Sequence, residues 1–141
     1  NRDDRHSGQI SFPGGRHEEA DSSLADTALR EAEEEVGVDA RKVEILGRLT
    51  ELYIPVSNYR VSPFVGFVDF QPRFSPEVAE VAGVLEVPFA LLADPGVVQY
   101  TDLRVTENIT LQGVPYYNVF GKVVWGATAM MLSELLTLHR S

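Results

Sequence analysis

Residues 30–35 read Arg30-Glu31-Ala32-Glu33-Glu34-Glu35, one cation followed by four carboxylates in five positions. On a helix, residues i, i+3 and i+4 are neighbours, so Glu31, Glu34 and Glu35 share one flank while Glu33 points away with Asp26. Like charges at that spacing repel, and the face destabilises the helix that carries it. A divalent cation with hard oxygen ligands turns the same crowding into a binding site. A solvated acidic face is the competing explanation, and the helix by itself does not separate the two.

The positioning elements narrow the choice. Ala25, Leu29, Ala32 and Val36 recur at helical spacing on a second flank, which predicts a helix over Leu24–Val36 packed on a core. Asp21, Ser22 or Ser23 can cap its start, and Gly37 falls where a C-cap glycine belongs. Before the helix, Gln9-Ile10-Ser11-Phe12 alternates like a short strand and Pro13-Gly14-Gly15 reads as a turn. Two glycines there let the backbone approach a ligand closely. Residues 16–23 form a polar loop.

Downstream, strands are expected over 43–49, over 59–70 as a central strand, and over 84–87, with 52–57 and 71–80 as loops. Residues 88–92 read as a short helical segment and Asp94-Pro95-Gly96 as a turn. A hairpin is expected with its turn at Gln112-Gly113, between 105–111 and 115–120, followed by a second turn at Gly121-Lys122. The last element, 127–139, is an amphipathic helix burying Met131, Leu132, Leu135 and Leu136. The order is β, α, several β, α. It implies an α/β domain in which a mixed sheet lies between two helices, with no internal domain boundary over 1–141.

Composition excludes several function classes. The chain has 141 residues and a formal charge of −9, from 12 Lys+Arg against 21 Asp+Glu, so it lacks the basic stripe of a nucleic-acid binder. A small phosphorylated ligand remains compatible, because a metal inverts the local sign. With no cysteine, disulfides, zinc thiolates and cysteine nucleophiles are excluded. No apolar run reaches membrane-spanning length and Asn1 to Ser7 is too polar for a signal peptide, so a soluble cytoplasmic domain is expected.

Gly15, five residues, Asp21, eight residues, then Arg30 to Val38 resembles the Nudix box, G-x5-E-x7-R-E-U-x-E-E-x-G-U with U apolar. The second half matches at every fixed position. In the first half Asp21 replaces Glu, and one extra residue separates it from Arg30. His6-Ser7-Gly8-Gln9-Ile10-Ser11-Phe12-Pro13-Gly14-Gly15 is similar to the G-x3-F-P-G-G element of the coenzyme A pyrophosphatase branch, and Val124 to Ala129 near the end also resembles that branch. Asp4 stands where that branch has Arg, with Arg5 beside it. The resemblance also places one or two strands before Asn1, so the natural N-terminus is expected to extend further.

The resemblance implies a Nudix α/β/α sandwich and Mg²⁺- or Mn²⁺-dependent hydrolysis of a nucleoside diphosphate derivative. Coenzyme A or an acyl-coenzyme A leads the candidates. ADP-ribose, NADH, nucleoside triphosphates and a non-catalytic ligand-binding module are the alternatives. It implies Glu31 and Glu35 as metal ligands, with Glu34 sharing the ions or acting through water and the Gly15 carbonyl adding an oxygen. Arg30 orients a carboxylate with Asp21 as its partner, or is an ordinary surface pair. The general base is a box glutamate, Glu34 or Glu35, or a distant loop acid, Glu77 or Glu80, with Glu51 preceding another loop. Arg5, His6, Gln9, Tyr53 and Tyr59 are candidate substrate contacts, Trp125 is read as core, and a homodimer follows the family's habit.

Overall fold

A computed structural model of the chain describes residues 9–77 and 81–140. They divide into two units, 12–85 and 86–140 together with 9–11.

The 12–85 unit is built on helix α1 (Leu24–Val36), over the span the periodicity predicts. Ser23 caps its start, its Oγ accepting the Asp26 amide at 3.1 Å. Gly37 ends it at φ 79°, its N–H donating to the Glu33 carbonyl at 3.0 Å. Two carbonyls that the last turn leaves without helical partners are taken up by the following loop. The Ser75 amide donates to Val36 at 2.8 Å and the Glu77 amide to Glu35 at 2.9 Å. The stripe of Ala25, Leu29, Ala32 and Val36 is half-buried. A 3₁₀ turn, Ala40–Lys42, leads into β1 (Glu44–Arg48), β2 (Leu52–Ile54), β3 (Tyr59–Val61) and β4 (Phe64–Phe67).

The expected single strand over 59–70 is two strands. Pro63 has no amide hydrogen and interrupts the ladder between β3 and β4, while its carbonyl accepts the Leu49 amide at 2.9 Å. β3 pairs antiparallel with β2, and β4 pairs antiparallel with β1. Among the described residues β4 therefore has one neighbour and is not central, and Phe67 is half exposed. A continuous apolar run does not by itself say which neighbour covers it, and here Gly66, Phe67 and Phe70 stay exposed. Leu52–Ile54, expected as loop, is the strand β2, because Pro55 falls just beyond the last ladder residue.

The second unit contains α2 (Phe89–Leu92), a 3₁₀ turn at Pro95–Val97, β5 (Val98–Arg104), β6 (Thr110–Val119), β7 (Lys122–Val124) and α3 (Gly126–Arg140). β5, β6 and β7 form one antiparallel sheet in that order. The expected turn at Gln112-Gly113 lies inside β6. Gly113, at φ 63°, faces the register irregularity between Thr101 and Leu103, and its amide donates to Asp102 Oδ1 at 2.9 Å. A left-handed glycine marks a bulge here rather than a chain reversal. The β5–β6 reversal is at 105–109, closed by the Val105 amide on the Ile109 carbonyl at 2.9 Å. The β6–β7 turn is at Phe120 and Gly121, one residue before the expected Gly121-Lys122, and both central residues are left-handed, at φ 53° and 82°, as a two-residue hairpin requires.

Neither 9–12 nor 84–87 forms a strand. Their alternation reports burial without ladder pairing. Ile10 and Val87 pack against the core of this unit, formed by Leu92, Val119, Val124, Leu132 and Leu136. Leu132 and Leu136 sit on the expected face of α3, with Met131 and Leu135 half-buried beside them. The α/β class holds, and every ladder among the described residues is antiparallel.

Candidate active site

The acidic flank of α1 is organised by Arg30. Its Nε donates to Asp21 Oδ1 at 2.9 Å and its Nη2 to Asp21 Oδ2 at 3.1 Å, a two-point guanidinium–carboxylate contact. Asp21 Oδ2 also accepts the Thr27 hydroxyl at 2.9 Å and the Glu18 amide at 2.8 Å. The Asp21 side chain is 6% exposed and Thr27 is 5% exposed, so this junction is largely out of water. The Arg30 hydrogen bond, helped by the Glu18 amide and the Thr27 hydroxyl, holds the Asp21 carboxyl well below the usual carboxylate range. Bonding to Asp21 in turn raises the Arg30 guanidinium above its ordinary value. Asp21 is one methylene shorter than the glutamate of the Nudix pattern and one residue further from Arg30, and the bidentate contact is made nonetheless.

The third nitrogen of the guanidinium, Nη1, faces the glutamates. It lies 3.4 Å from Glu31 Oε2, 3.4 Å from Glu34 Oε2 and 3.8 Å from Glu18 Oε2. These contacts are longer than good charge-assisted hydrogen bonds, so one nitrogen is shared among three carboxylates without satisfying any of them. Glu33 turns away, as its helical position requires, and accepts the Ala40 amide at 2.8 Å.

Gly15 closes the other side of Glu31. A Cβ built on Gly15 would overlap the Glu31 carboxylate, so a side chain at this position would make the Glu31 side chain swing aside, whereas glycine lets the loop backbone lie against it. Gly14, by contrast, has open space around its Cβ position. Arg16 continues the loop. Its carbonyl accepts Arg30 Nη2 at 3.0 Å, and its guanidinium donates to the Tyr59 hydroxyl from Nε at 3.1 Å and Nη2 at 2.6 Å.

The geometry thus brings Gly15, Asp21, Arg30, Glu31 and Glu34 together, with Tyr59 joined through Arg16. Other expected residues lie elsewhere. Tyr53 braces the β2–β3 turn, its hydroxyl donating to Asn58 Oδ1 at 2.7 Å. Glu51 pairs with Arg60 at 3.5 Å. Glu77 is exposed and meets α1 through its backbone amide on the Glu35 carbonyl. Gln9 is exposed in the other unit. Arg5, His6 and Glu80 lie outside the described residues. Arg16, Glu18 and Thr27 are members of the network that sequence reasoning did not single out. Loop residues carry no periodicity, and a threonine hydroxyl gives no charge signal.

The donors around Glu31, namely carboxylates and the adjacent Gly15 backbone, are all hard oxygens, the set a divalent cation such as Mg²⁺ takes. Among the described residues no three acidic or histidine side chains stand in a group that could hold a metal ion, and Glu31 and Glu34 are drawn toward Arg30.

The sequence profile of the NUDIX domain matches residues 1–103. The chain belongs to the Nudix hydrolase family. Among its curated relatives is an uncharacterized Nudix hydrolase, NudL, of Pectobacterium atrosepticum, 37% identical over 135 residues, covering 93% of this chain and 67% of that protein. The NudL of Yersinia enterocolitica is 37% identical over 139 residues, covering 93% and 66%. That of Yersinia pestis, strain Pestoides F, is 37% identical over 134 residues, covering 93% and 64%. The chain therefore spans about two thirds of the length of these relatives. Nudix hydrolases generally hydrolyse a pyrophosphate bond of a small molecule and use divalent metals. The α/β content described above is that of the Nudix fold.

Proposed function

We propose that this chain hydrolyses the pyrophosphate bond of a nucleoside diphosphate derivative, with coenzyme A or an acyl-coenzyme A as the leading substrate. The products would be 3′,5′-ADP and the corresponding phosphopantetheine. The observation that carries the chemistry is the fit of Gly15 against the Glu31 carboxylate, beside an Arg30 held at two points by Asp21. The substrate rests on the similarity of residues 6–15 and 124–129 to the coenzyme A pyrophosphatase branch.

Glu31, Glu35 and Glu34, with the Gly15 carbonyl, would hold Mg²⁺ or Mn²⁺. When bound, the metal neutralises charge on the pyrophosphate and acts as a Lewis acid toward it. Arg30 keeps Glu31 and Glu34 oriented by sharing Nη1 between them, and Asp21 keeps Arg30 from swinging away. The proton of the attacking water passes to a carboxylate, Glu34 or Glu35 on α1, with Glu77 and Glu80 as the loop alternatives. Cleavage breaks the bond between one phosphorus and the bridging oxygen, which leaves with its phosphate.

The test is hydrolysis with Mg²⁺ across coenzyme A, ADP-ribose, NADH and nucleoside triphosphates, with Glu35→Gln as the site control. Coenzyme A turnover is expected, and the variant should lose more than about 100-fold in kcat, since even outer partners of a metal site are worth ~10–100-fold. Turnover of another member with none of coenzyme A would replace the substrate. Near-normal activity in Glu35→Gln would remove that residue from the metal site.

A further inference from the structure

Arg16 stands apart from its neighbours in one respect. Every donor of Arg30 faces a carboxylate or a carbonyl, whereas the Arg16 guanidinium is paired with no carboxylate among the described residues. Its partner is a neutral phenol. Nε and Nη2 both donate to the Tyr59 hydroxyl, and the guanidinium carbon lies 5.1 Å from the Tyr59 ring centre. Among the described residues it is a positive charge with no carboxylate partner, in a chain with 21 acidic residues. Its main chain is pinned close to the acidic flank: Gly15 before it lies against Glu31, and its own carbonyl accepts Arg30 Nη2. The Tyr59 hydroxyl accepts both guanidinium bonds and still has its own hydrogen to donate. The pair therefore offers a held cation whose Nη1 N–H groups have no partner among the described residues, and one hydroxyl donor, all exposed. That combination suits a phosphate oxygen, for which guanidinium is the preferred planar donor.

We propose that Arg16, held by Tyr59, is an anion-binding residue that receives an oxygen of the substrate's pyrophosphate. The inference rests on the pyrophosphohydrolase reading above and adds a substrate-binding pair to it. Arg16 contributes nothing to metal binding in this role, and its side chain can be removed without touching the carbonyl that Arg30 uses.

The test measures binding of inorganic pyrophosphate in the presence of Mg²⁺ by titration calorimetry, beside steady-state kinetics on the substrate panel. R16A should weaken pyrophosphate binding about 10-fold or more, the size expected when a hydrogen bond to a charged group is lost. R16K should recover part of it, because the charge returns without the fork. Y59F should weaken it less than R16A, since the guanidinium remains but is no longer held. KM should rise more than kcat falls. R41A removes the same charge from the Arg41–Asp39 pair beyond the far end of α1, and should bind pyrophosphate as the wild type does. Far-UV circular dichroism of each variant checks folding. Unchanged binding in R16A, an equal loss in R41A, or no pyrophosphate binding by the wild type would each overturn the proposal. A wild type that binds pyrophosphate through Arg16 but hydrolyses no member of the panel would uphold it and sink the catalytic reading instead.

Discussion

At the scale of single residues, the site depends on Asp21 more than its departure from the Nudix pattern suggests. Glutamate is the usual residue, but the shorter side chain reaches Arg30 with both oxygens and also takes the Thr27 hydroxyl and the Glu18 amide. These donors favour the ionised form, so the folded-state pKa is depressed. The stability this gives is present above the unfolded aspartate value of about 3.9 and is lost as pH falls toward the folded value. Asp21→Asn keeps the shape and removes the charge. Its melting temperature should lie below that of the wild type near neutral pH, with the gap narrowing as pH is lowered below about 4. Activity should fall about 10–100-fold, the range for a partner that orients a metal-site residue. Thermal melts of both proteins from pH 7 down to the acid limit check the first outcome. A gap that stays constant with pH would show that the Asp21 charge does not set it.

At the scale of elements, glycines separate what the chain needs from what it tolerates. Gly37 and Gly121 have nearly the same left-handed φ, 79° and 82°. Alanine at either position meets the left-handed penalty of about 1–2 kcal/mol. At Gly121 a Cβ meets nothing within 4 Å, whereas at Gly37 it would lie 2.8 Å from Ser75 Cβ and 3.0 Å from the Ser75 nitrogen, on the loop that takes up the last carbonyls of α1. Gly37→Ala should therefore lose more stability than Gly121→Ala in urea unfolding, and should loosen the 71–77 loop. Equal losses would show that the loop yields freely. The same elements show what was legible in the chain. The β6–β7 turn falls at Phe120-Gly121, one residue before the expected Gly121-Lys122, while helix α1 and its caps follow from local rules, namely period and side-chain capping, and stand as expected. The strand boundaries did not. Gly113 has the same dihedral whether it turns a chain or bulges a strand, and Pro63 splits a run that hydropathy alone reads as continuous. Pairing partners decide both cases, and pairing is non-local. At the site, the acidic flank was legible from charge type and spacing, and the Asp21–Arg30 pair from the resemblance to the Nudix box. Arg16 was not, because its meaning comes from Tyr59, forty-three residues away.

At the scale of the whole molecule, a net charge of −9 means that any divalent cation has two ways to stabilise the fold. General screening relieves self-repulsion across all 21 acids and depends on ionic strength alone. Binding at Glu31, Glu34 and Glu35 instead stabilises by mass action, about 2.7 kcal/mol when the free ion reaches a hundred times its dissociation constant. The two differ in saturation and in location. A site-bound ion should raise the melting temperature along a saturating curve in millimolar Mg²⁺ that NaCl of equal ionic strength does not reproduce. Glu31→Gln and Glu35→Gln should each flatten that curve. Glu44→Gln, which removes one charge from the exposed face of β1, should leave it unchanged. If NaCl matched the Mg²⁺ curve, or if all three variants behaved alike, the acidic flank would be a solvated face after all. Removing the ion with EDTA from a protein that shows the saturating curve should return the melting temperature to its metal-free value. Together with the flattened curves of Glu31→Gln and Glu35→Gln, that would place the stabilisation at a metal held by the acidic flank of α1.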